Sequence, residues 1–348
     1  MKLTVHLVSW NGVKYVPYLF DSLKKQTYKD WKLYIWDNGS EDGMLELMRH
    51  ELKNVWFEYE IIANKDNVGF SGGNNALYKH TDSDYFLPLN QDMSLTPTCL
   101  EEMVAYMNAH TDVAVVSPRL MRWNFQRILK GNDRASYTDQ IDALGLKVFR
   151  SGRVIEEYTQ YQWRDIKKQF LSRSISVFGV SGAFPLYRRS AIDDIAFTDG
   201  TFFDESYHSY KEDVDIAYRL RATGYQSIVL LDVVAYHDRS ASGSKSLGDK
   251  SAVQNKKKQS SWVKYHSYKN HLMTLYKNIY WQNALLDFPW IKLYEMKKFV
   301  WFCLFDRSVL KGLKEIWMMR HELKEKRAYI KSKRKVSWKE MRQWWRYI

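Results

Sequence analysis

The chain has 348 residues, 45% of them apolar and 27% charged, and a formal net charge of +13. This composition excludes a wholly disordered chain and gives room for one large domain with an appendage, or for two domains. Two cysteines, Cys99 and Cys303, exclude a disulfide framework and a cysteine-rich zinc site, and they fit a reducing compartment.

Short apolar, β-branched runs then alternate with helical patterns. Residues 3–8 read as a buried strand placed directly after Met1-Lys2, so no secretory signal is expected and the catalytic side should be cytoplasmic. Val16, Leu19, Phe20 and Leu23 fall on one helical face over 16–25. Strands follow at 32–36, 59–63, 84–89 and 113–117, with helices predicted over 43–52, 73–79 and 98–108. Strand and helix alternating at this pitch mean right-handed crossovers and a mostly parallel sheet with helices on both faces. Residues 120–180 are irregular, and loops with short strands are expected there. Residues 177–188 read as a strand pair with a glycine turn, 212–222 as a helix stopped by Gly224, and 227–235 as a last strand. The polar stretch 243–259 reads as a mobile loop or linker, and helices follow from about 260.

In an open parallel sheet, ligands bind outside the carboxyl ends of the strands. The unusual polar clusters lie at those ends: Ser9-Trp10-Asn11-Gly12, Asp37-Asn38-Gly39-Ser40 with Asp42, the run from Asn64 to Asn75, Asn90-Gln91-Asp92, and His237. Each also has a plain structural reading. Asp37 to Ser40 could be a capped turn, and Asn67 to Gly73 a flexible loop. That glycine-rich loop lacks the dinucleotide fingerprint. Asp92 alone could be a hydrated carboxylate and His237 a packed histidine, but hard cations take oxygen ligands from one or two carboxylates plus substrate phosphates. Glu212-Asp213-Val214-Asp215 opens a helix, where the dipole favours acids. Three carboxylates in four residues exceed what capping needs, and crowding raises their pKa values, which suits a general base.

In this order and spacing the motifs resemble glycosyltransferase family 2, with the GT-A fold, over roughly residues 3–240. Gly182-Ala183 and Phe203-Asp204-Glu205 belong to the same series, and the nearest likeness is to rhamnosyltransferase-like enzymes of bacterial surface polysaccharide. The resemblance implies a catalytic domain at 1–242, with a nucleotide-sugar half to about 118 and an acceptor half at 119–242, then a linker at 243–260 and an extension at 261–348. It implies that Ser9, Asn11 and Asp37 hold base and ribose, and that Asn67, Gly69 and Asn74 shape the nucleotide-sugar pocket together with Asn90 and Gln91. Asp92 would bind Mg²⁺ or Mn²⁺ with His237, although Asn90-Gln91-Asp92 supplies one carboxylate where the family motif has two. Asp213 would be the catalytic base, with Glu212 beside it on the acceptor side and Gly182-Ala183 lining the acceptor loop. The implied function is inverting transfer of a sugar, with rhamnose suggested, from a nucleotide-diphosphate sugar to a glycan or lipid-linked acceptor. The competing reading is a non-catalytic sugar-nucleotide or glycan-binding partner subunit.

Charge is distributed unevenly. Residues 251–348 carry 23 Lys+Arg against 7 Asp+Glu and 8 of the 14 tryptophans. Tryptophan and basic side chains beside an apolar face suit a helix lying on an anionic membrane surface. That reading is preferred to helices packed on the catalytic domain, and nucleic-acid binding ranks last. The sequence leaves the oligomeric state open.

Overall fold

The computed structural model describes residues 1–239 and 249–347. Strands β1 (Leu3–Ser9), β2 (Trp31–Asn38), β3 (Glu58–Asn64) and β4 (Tyr85–Leu89) form the parallel half of a ten-stranded sheet, in the order β3-β2-β1-β4. Helices α1 (Val16–Lys24), α2 (Met44–Glu51) and α3 (Gly69–Tyr78) connect them. Beyond β4 come β5 (Met93–Leu95), α4 (Cys99–Ala109) and the long β6 (Val113–Trp123). The irregular middle holds α5 (Phe125–Ile128), β7 (Tyr137–Ala143), β8 (Leu146–Phe149), β9 (Val154–Glu156), α6 (Trp163–Ile166) and β10 (Ser174–Ser176). Then follow β11 (Leu186–Arg188), α7 (Arg189–Ile195), α8 (Glu212–Ala222) and β12 (Gln226–His237). β11 runs antiparallel between β4 and β6, and β12 lies parallel to β6.

Successive side chains of a strand point to opposite faces, and the two faces are buried separately. Tyr85, Leu87 and Leu89 pack with α1, α2 and α4 on one side, whereas Phe86 packs with α3, α7 and α8 on the other. This double burial explains why the central strands read as continuous apolar runs.

Two expectations about local structure are corrected. The glycine-rich run is not a loop: α3 starts at Gly69, because Gly73 has no Cβ and the helix can settle against Val8 and Trp36. Residues 177–188 are not a strand pair, since strand geometry is confined to β11, and the segment before it threads beneath α8. The expected linker is partly helical as well. Residues 243–248 lie outside the described residues, and Asp249–Lys258 forms α9.

The C-terminal helices are α10 (Ser261–Asn278), α11 (Trp281–Leu286), α12 (Phe288–Phe305), α13 (Lys311–Met318), α14 (Arg320–Lys333) and α15 (Trp338–Arg342). They do not form a detached tail. The chain ends in β13 (Trp345–Arg346), which pairs parallel with β8. Met341 and Trp345 share a core with Leu146, Phe178 and Tyr218. Lys277 is fully buried between Asp204 and Asp215, and Lys326 reaches Asp204 at 2.7 Å. Asn278 donates to Asp215 at 2.8 Å. Removing one partner from such a buried ionic cluster typically costs about 3–5 kcal/mol, so the extension and the sheet are bound to fold together. Among the described residues, no helix is long and apolar enough to cross a membrane.

Candidate active site

β5 pairs antiparallel with the end of β12, and Met93 stands opposite His237 in that register. The Asp238 amide also donates to the Asp92 carbonyl at 3.0 Å. The pairing presses Asp92 Oδ1 to 3.3 Å from His237 Nε2. On the other side of the ring, Nδ1 donates to the buried Asp142 at 2.8 Å. Burial opposes a charge on the ring, but Asp92 and Asp142 outweigh it and push the imidazole pKa up to about 10. Asp142 is held below the usual carboxylate range, against burial, by Arg239 and His237.

Asp92 and His237 line a cleft of about 860 Å³ together with Asn90, Gly182, Ala183, Glu212 and Asp213. The donors suit a hard divalent cation. One carboxylate and one imidazole nitrogen converge, a bound cation would take the place of the Nε2 proton, and the second ring nitrogen is anchored by a carboxylate, as is usual for ligating histidines. Two ligands on adjacent octahedral positions about 2.1 Å from an ion lie about 3 Å apart, close to the observed separation. No group of three or more His, Cys, Asp or Glu side chains suited to a metal occurs among the described residues, so substrate oxygens would have to complete the shell.

Glu212 and Asp213 begin α8 at the cleft wall. Asp213 accepts from the Gly182 amide at 3.3 Å and the Val214 amide at 2.8 Å. Burial raises its pKa, and the Lys211 ammonium partly opposes the rise. Glu212 is 9% exposed and its Oε2 has no hydrogen-bond partner. Burial and the neighbouring Asp213 push its pKa well above the usual carboxylate range.

The segment leading into this pair is strained. His208, Tyr210 and Lys211 have φ of 61°, 72° and 72°. Such conformations cost about 1–3 kcal/mol each and persist only where the surroundings impose them. Here α10 imposes them. The fully buried Asn270 donates to the carbonyls of Tyr207, Ser209 and Tyr210 at 2.8–2.9 Å. From the other side, the Ser71 amide of α3 donates to the His208 carbonyl at 3.1 Å. Gly69, at φ 78°, lies so close to that carbonyl that a Cβ would come within 2.4 Å of it.

A second cluster forms at the ends of β1, β2 and β4. Asp37 accepts from Ser9 Oγ at 3.1 Å and from the Ser40 amide at 3.0 Å. Asn11 Oδ1 accepts from the Glu41 amide at 2.9 Å, and Gln91 bonds both the amide and the carbonyl of Trp10. Exposed Asn67, just ahead of the Val68 N-cap, accepts from the Gly69 amide that begins α3 at 2.9 Å. Asn74 is fully buried and donates to the Phe70 carbonyl of its own helix, while Gly69 packs on His208. Both occupy packing positions that hold α3 in place. Asp142, Asn270, Lys211 and Arg239 escaped the sequence reading. None lies in a motif, and Asp142 falls in the irregular middle of the chain.

The family model for glycosyl transferase family 2 matches residues 4–196, more than half of the chain. The chain belongs to glycosyl transferase family 2. A putative glycosyltransferase, EpsE, of Bacillus subtilis is 26% identical over 34% of this chain and 43% of its own. The O-antigen chain rhamnosyltransferase RfbN of Salmonella typhimurium is 26% identical over 68% of this chain and 66% of its own. The chain thus covers less than two thirds of the length of either relative. A crystal structure of GalNAc-T7 with UDP, GalNAc and Mn²⁺ superposes over 80% of this chain and 48% of that one, at 12% identity and a TM-score of 0.56. The fold of this family 2 chain is the GT-A fold.

The clamp on the strained loop is open to a direct check. Asn270→Ala leaves the half-buried Ser209 and Tyr210 carbonyls short of this donor, while the Tyr207 carbonyl keeps the Ser209 amide at 2.7 Å; a buried carbonyl left unsatisfied costs about 1–3 kcal/mol. Denaturant titration should show a loss of at least about 1 kcal/mol. An unchanged midpoint would mean that α10 does not hold the loop.

Proposed function

We propose that this family 2 protein transfers a sugar from a nucleotide-diphosphate sugar to an acceptor hydroxyl, with inversion, in the synthesis of a cell-surface polysaccharide. The observation that carries the reading is one cleft lined by the Asp92–His237 pair and by Asp213. Asp92 and His237 would hold a divalent cation, Mg²⁺ or Mn²⁺, which supplies neutralisation of the leaving diphosphate. Ser9, Asn11, Asp37 and Gln91, at the neighbouring strand ends, are the groups we assign to the nucleotide. Asn67 and Gly69 act on it through the start of α3.

Asp213 is placed to accept the proton of the acceptor hydroxyl as its oxygen attacks the anomeric carbon. The anomeric carbon–oxygen bond breaks in the same displacement, and the diphosphate leaves with the electron pair. Buried Glu212, whose unpartnered Oε2 lies beside Asp213 and whose pKa is raised by burial, is suited to hydrogen-bond an acceptor oxygen there. Gly182 and Ala183 form the floor under that acceptor. The likeness to an O-antigen rhamnosyltransferase supports a bacterial glycan as product and makes rhamnose the first donor sugar to test.

Two outcomes test this reading. Asp213→Asn should abolish transfer while nucleotide-sugar affinity stays within about twofold; equal loss of both would remove Asp213 as the base. Because Asp213 is raised above 3.8, wild-type kcat/KM should fall on the acid side with an apparent pKa above that ordinary value. Lys211→Met should move that limb upward, since the ammonium favours the carboxylate.

Attachment to a membrane surface is the second part of the proposal. Leu293, Met296, Val300 and Leu304 of α12 are 48–69% exposed on one helical face. Trp281, Leu285 and Phe288 extend this apolar surface. It would set the active site at the cytoplasmic face of an anionic bilayer. Leu293→Glu with Val300→Glu should release the protein from phosphatidylglycerol vesicles in a sedimentation assay without lowering its melting temperature. Unchanged sedimentation would rule this surface out.

A further inference from the structure

Glu156 also lines the cleft, and it touches the supports of both halves of the site. It is the last residue of β9 and stands opposite Leu146 of β8, so the small sheet completed by β13 sets its place. Its side chain is 11% exposed, and both carboxylate oxygens are engaged. Each oxygen accepts from one terminal nitrogen of the Arg239 guanidinium, which makes a bidentate pair. Oε1 also accepts from the buried Ser181 hydroxyl at 3.0 Å.

These contacts lead in opposite directions. Through Arg239 the path runs to the cation pair, because the guanidinium lies 3.8 Å from Asp142, the carboxylate that anchors the His237 ring. Through Ser181 it runs to the acidic pair. The next residue, Gly182, donates its amide to Asp213, and a Cβ on Gly182 would come within 3.3 Å of the Asp213 side chain. Ala183, one residue further, accepts from the Asn90 amide at 3.1 Å, two residues before Asp92. Three successive residues of the cleft floor are thus bonded to Glu156, to Asp213 and to the segment that carries Asp92.

A displacement reaction needs its leaving group and its proton acceptor at a fixed separation, and an error of about 1 Å can cost about 10²-fold in rate. Asp92 and His237 stand at strand ends, whereas Asp213 opens a helix, so the sheet alone does not set that separation. A planar guanidinium gripped by two oxygens is held in one orientation, which suits it to transmit position.

We propose that Glu156 is a positioning residue: it holds Arg239 against Asp142 on one side and the Ser181-Gly182 floor against Asp213 on the other, and so fixes the spacing between the cation site and the proton acceptor. This inference rests on the transferase reading above and adds a residue that acts through others.

Both arms can be read without turnover. Mn²⁺ affinity is measured by electron paramagnetic resonance of the free ion, in the presence of whichever of UDP, dTDP and GDP the wild-type protein binds most tightly with Mn²⁺. Hydrogen exchange of the Gly182 amide, followed by mass spectrometry, reads the floor. Partners that orient metal ligands typically contribute about 10–100-fold to metal affinity, and Glu156 lies one contact further out. Glu156→Gln should therefore weaken Mn²⁺ binding at least about threefold, and it should speed Gly182 exchange to a similar extent. Glu156→Asp keeps the charge but shortens the reach between Arg239 and Ser181, and it should move both readouts in the same direction. Ser181→Ala leaves the Arg239 pair in place, so it should speed Gly182 exchange while Mn²⁺ affinity stays within about twofold of wild type. A carboxylate that served only the stability of the fold would not separate the two readouts in this way. Unchanged Mn²⁺ affinity or unchanged Gly182 exchange in the folded Glu156 variants would overturn the proposal. So would a loss of Mn²⁺ affinity in Ser181→Ala as large as that in Glu156→Gln. Either failure, with Asp213→Asn still abolishing transfer, would remove Glu156 and leave the transferase reading standing. A wild-type protein that binds no nucleotide with Mn²⁺ would overturn the cation site and this inference with it.

Discussion

A three-residue strand decides the geometry of the site. β5 pairs antiparallel with the last turn of β12, and the register sets Met93 against His237. Asp92, one residue earlier, is thereby brought to the imidazole. Without this pairing the carboxylate at the end of β4 and the histidine at the end of β12 would be two unrelated polar residues. Asp142 fixes the ring from behind, and its own charge is held by Arg122 at 3.1 Å and by Arg239. The arrangement is a chain of charges in a site of low polarity. Each member is tolerable only because its neighbour is present.

The acidic pair depends on a different part of the chain. Glu212 and Asp213 follow a run of left-handed residues that α10 holds through Asn270. Further along α10, Lys277 neutralises Asp215 of the same acidic run and Asn278 donates a hydrogen bond to it. The C-terminal extension therefore shapes the wall of the cleft that carries Glu212 and Asp213. Its basic character is divided: some lysines are consumed in the buried ionic cluster, and others face the cleft.

Much of the fold was legible in the sequence. Strands β1, β2 and β4 are apolar, bounded by turn residues and buried on both faces, so their pattern had one solution, whereas β3 at the sheet edge is largely exposed. The meeting of Asp92 and His237 followed from the rule that strand ends share an edge, whereas Asp213, at the start of a helix, was joined to them only by the family resemblance. What the sequence hid was tertiary. Gly69 and Gly73 look like loop glycines, but they serve the close packing of α3 on β1 and on the 207–211 loop. Asp142 gives no local signal, because its role exists only once β7 lies beside β6. The tail reads as amphipathic and basic, and only packing reveals that α10 is buried while α12 keeps an open apolar face. Asn74, singled out by its place in a motif, is fully buried and its Oδ1 has no hydrogen-bond partner, a setting that no local pattern announces.

The central claim is that Asp92 and His237 together hold the cation that meets the donor diphosphate. Electron paramagnetic resonance of Mn²⁺ bound with a nucleoside diphosphate reads this directly, because a coordinated imidazole adds a nitrogen-14 coupling to the metal. The account predicts that coupling in the wild-type protein and its loss in His237→Gln. A nucleotide-bound Mn²⁺ with no nitrogen coupling, or with one that survives the substitution, would contradict it.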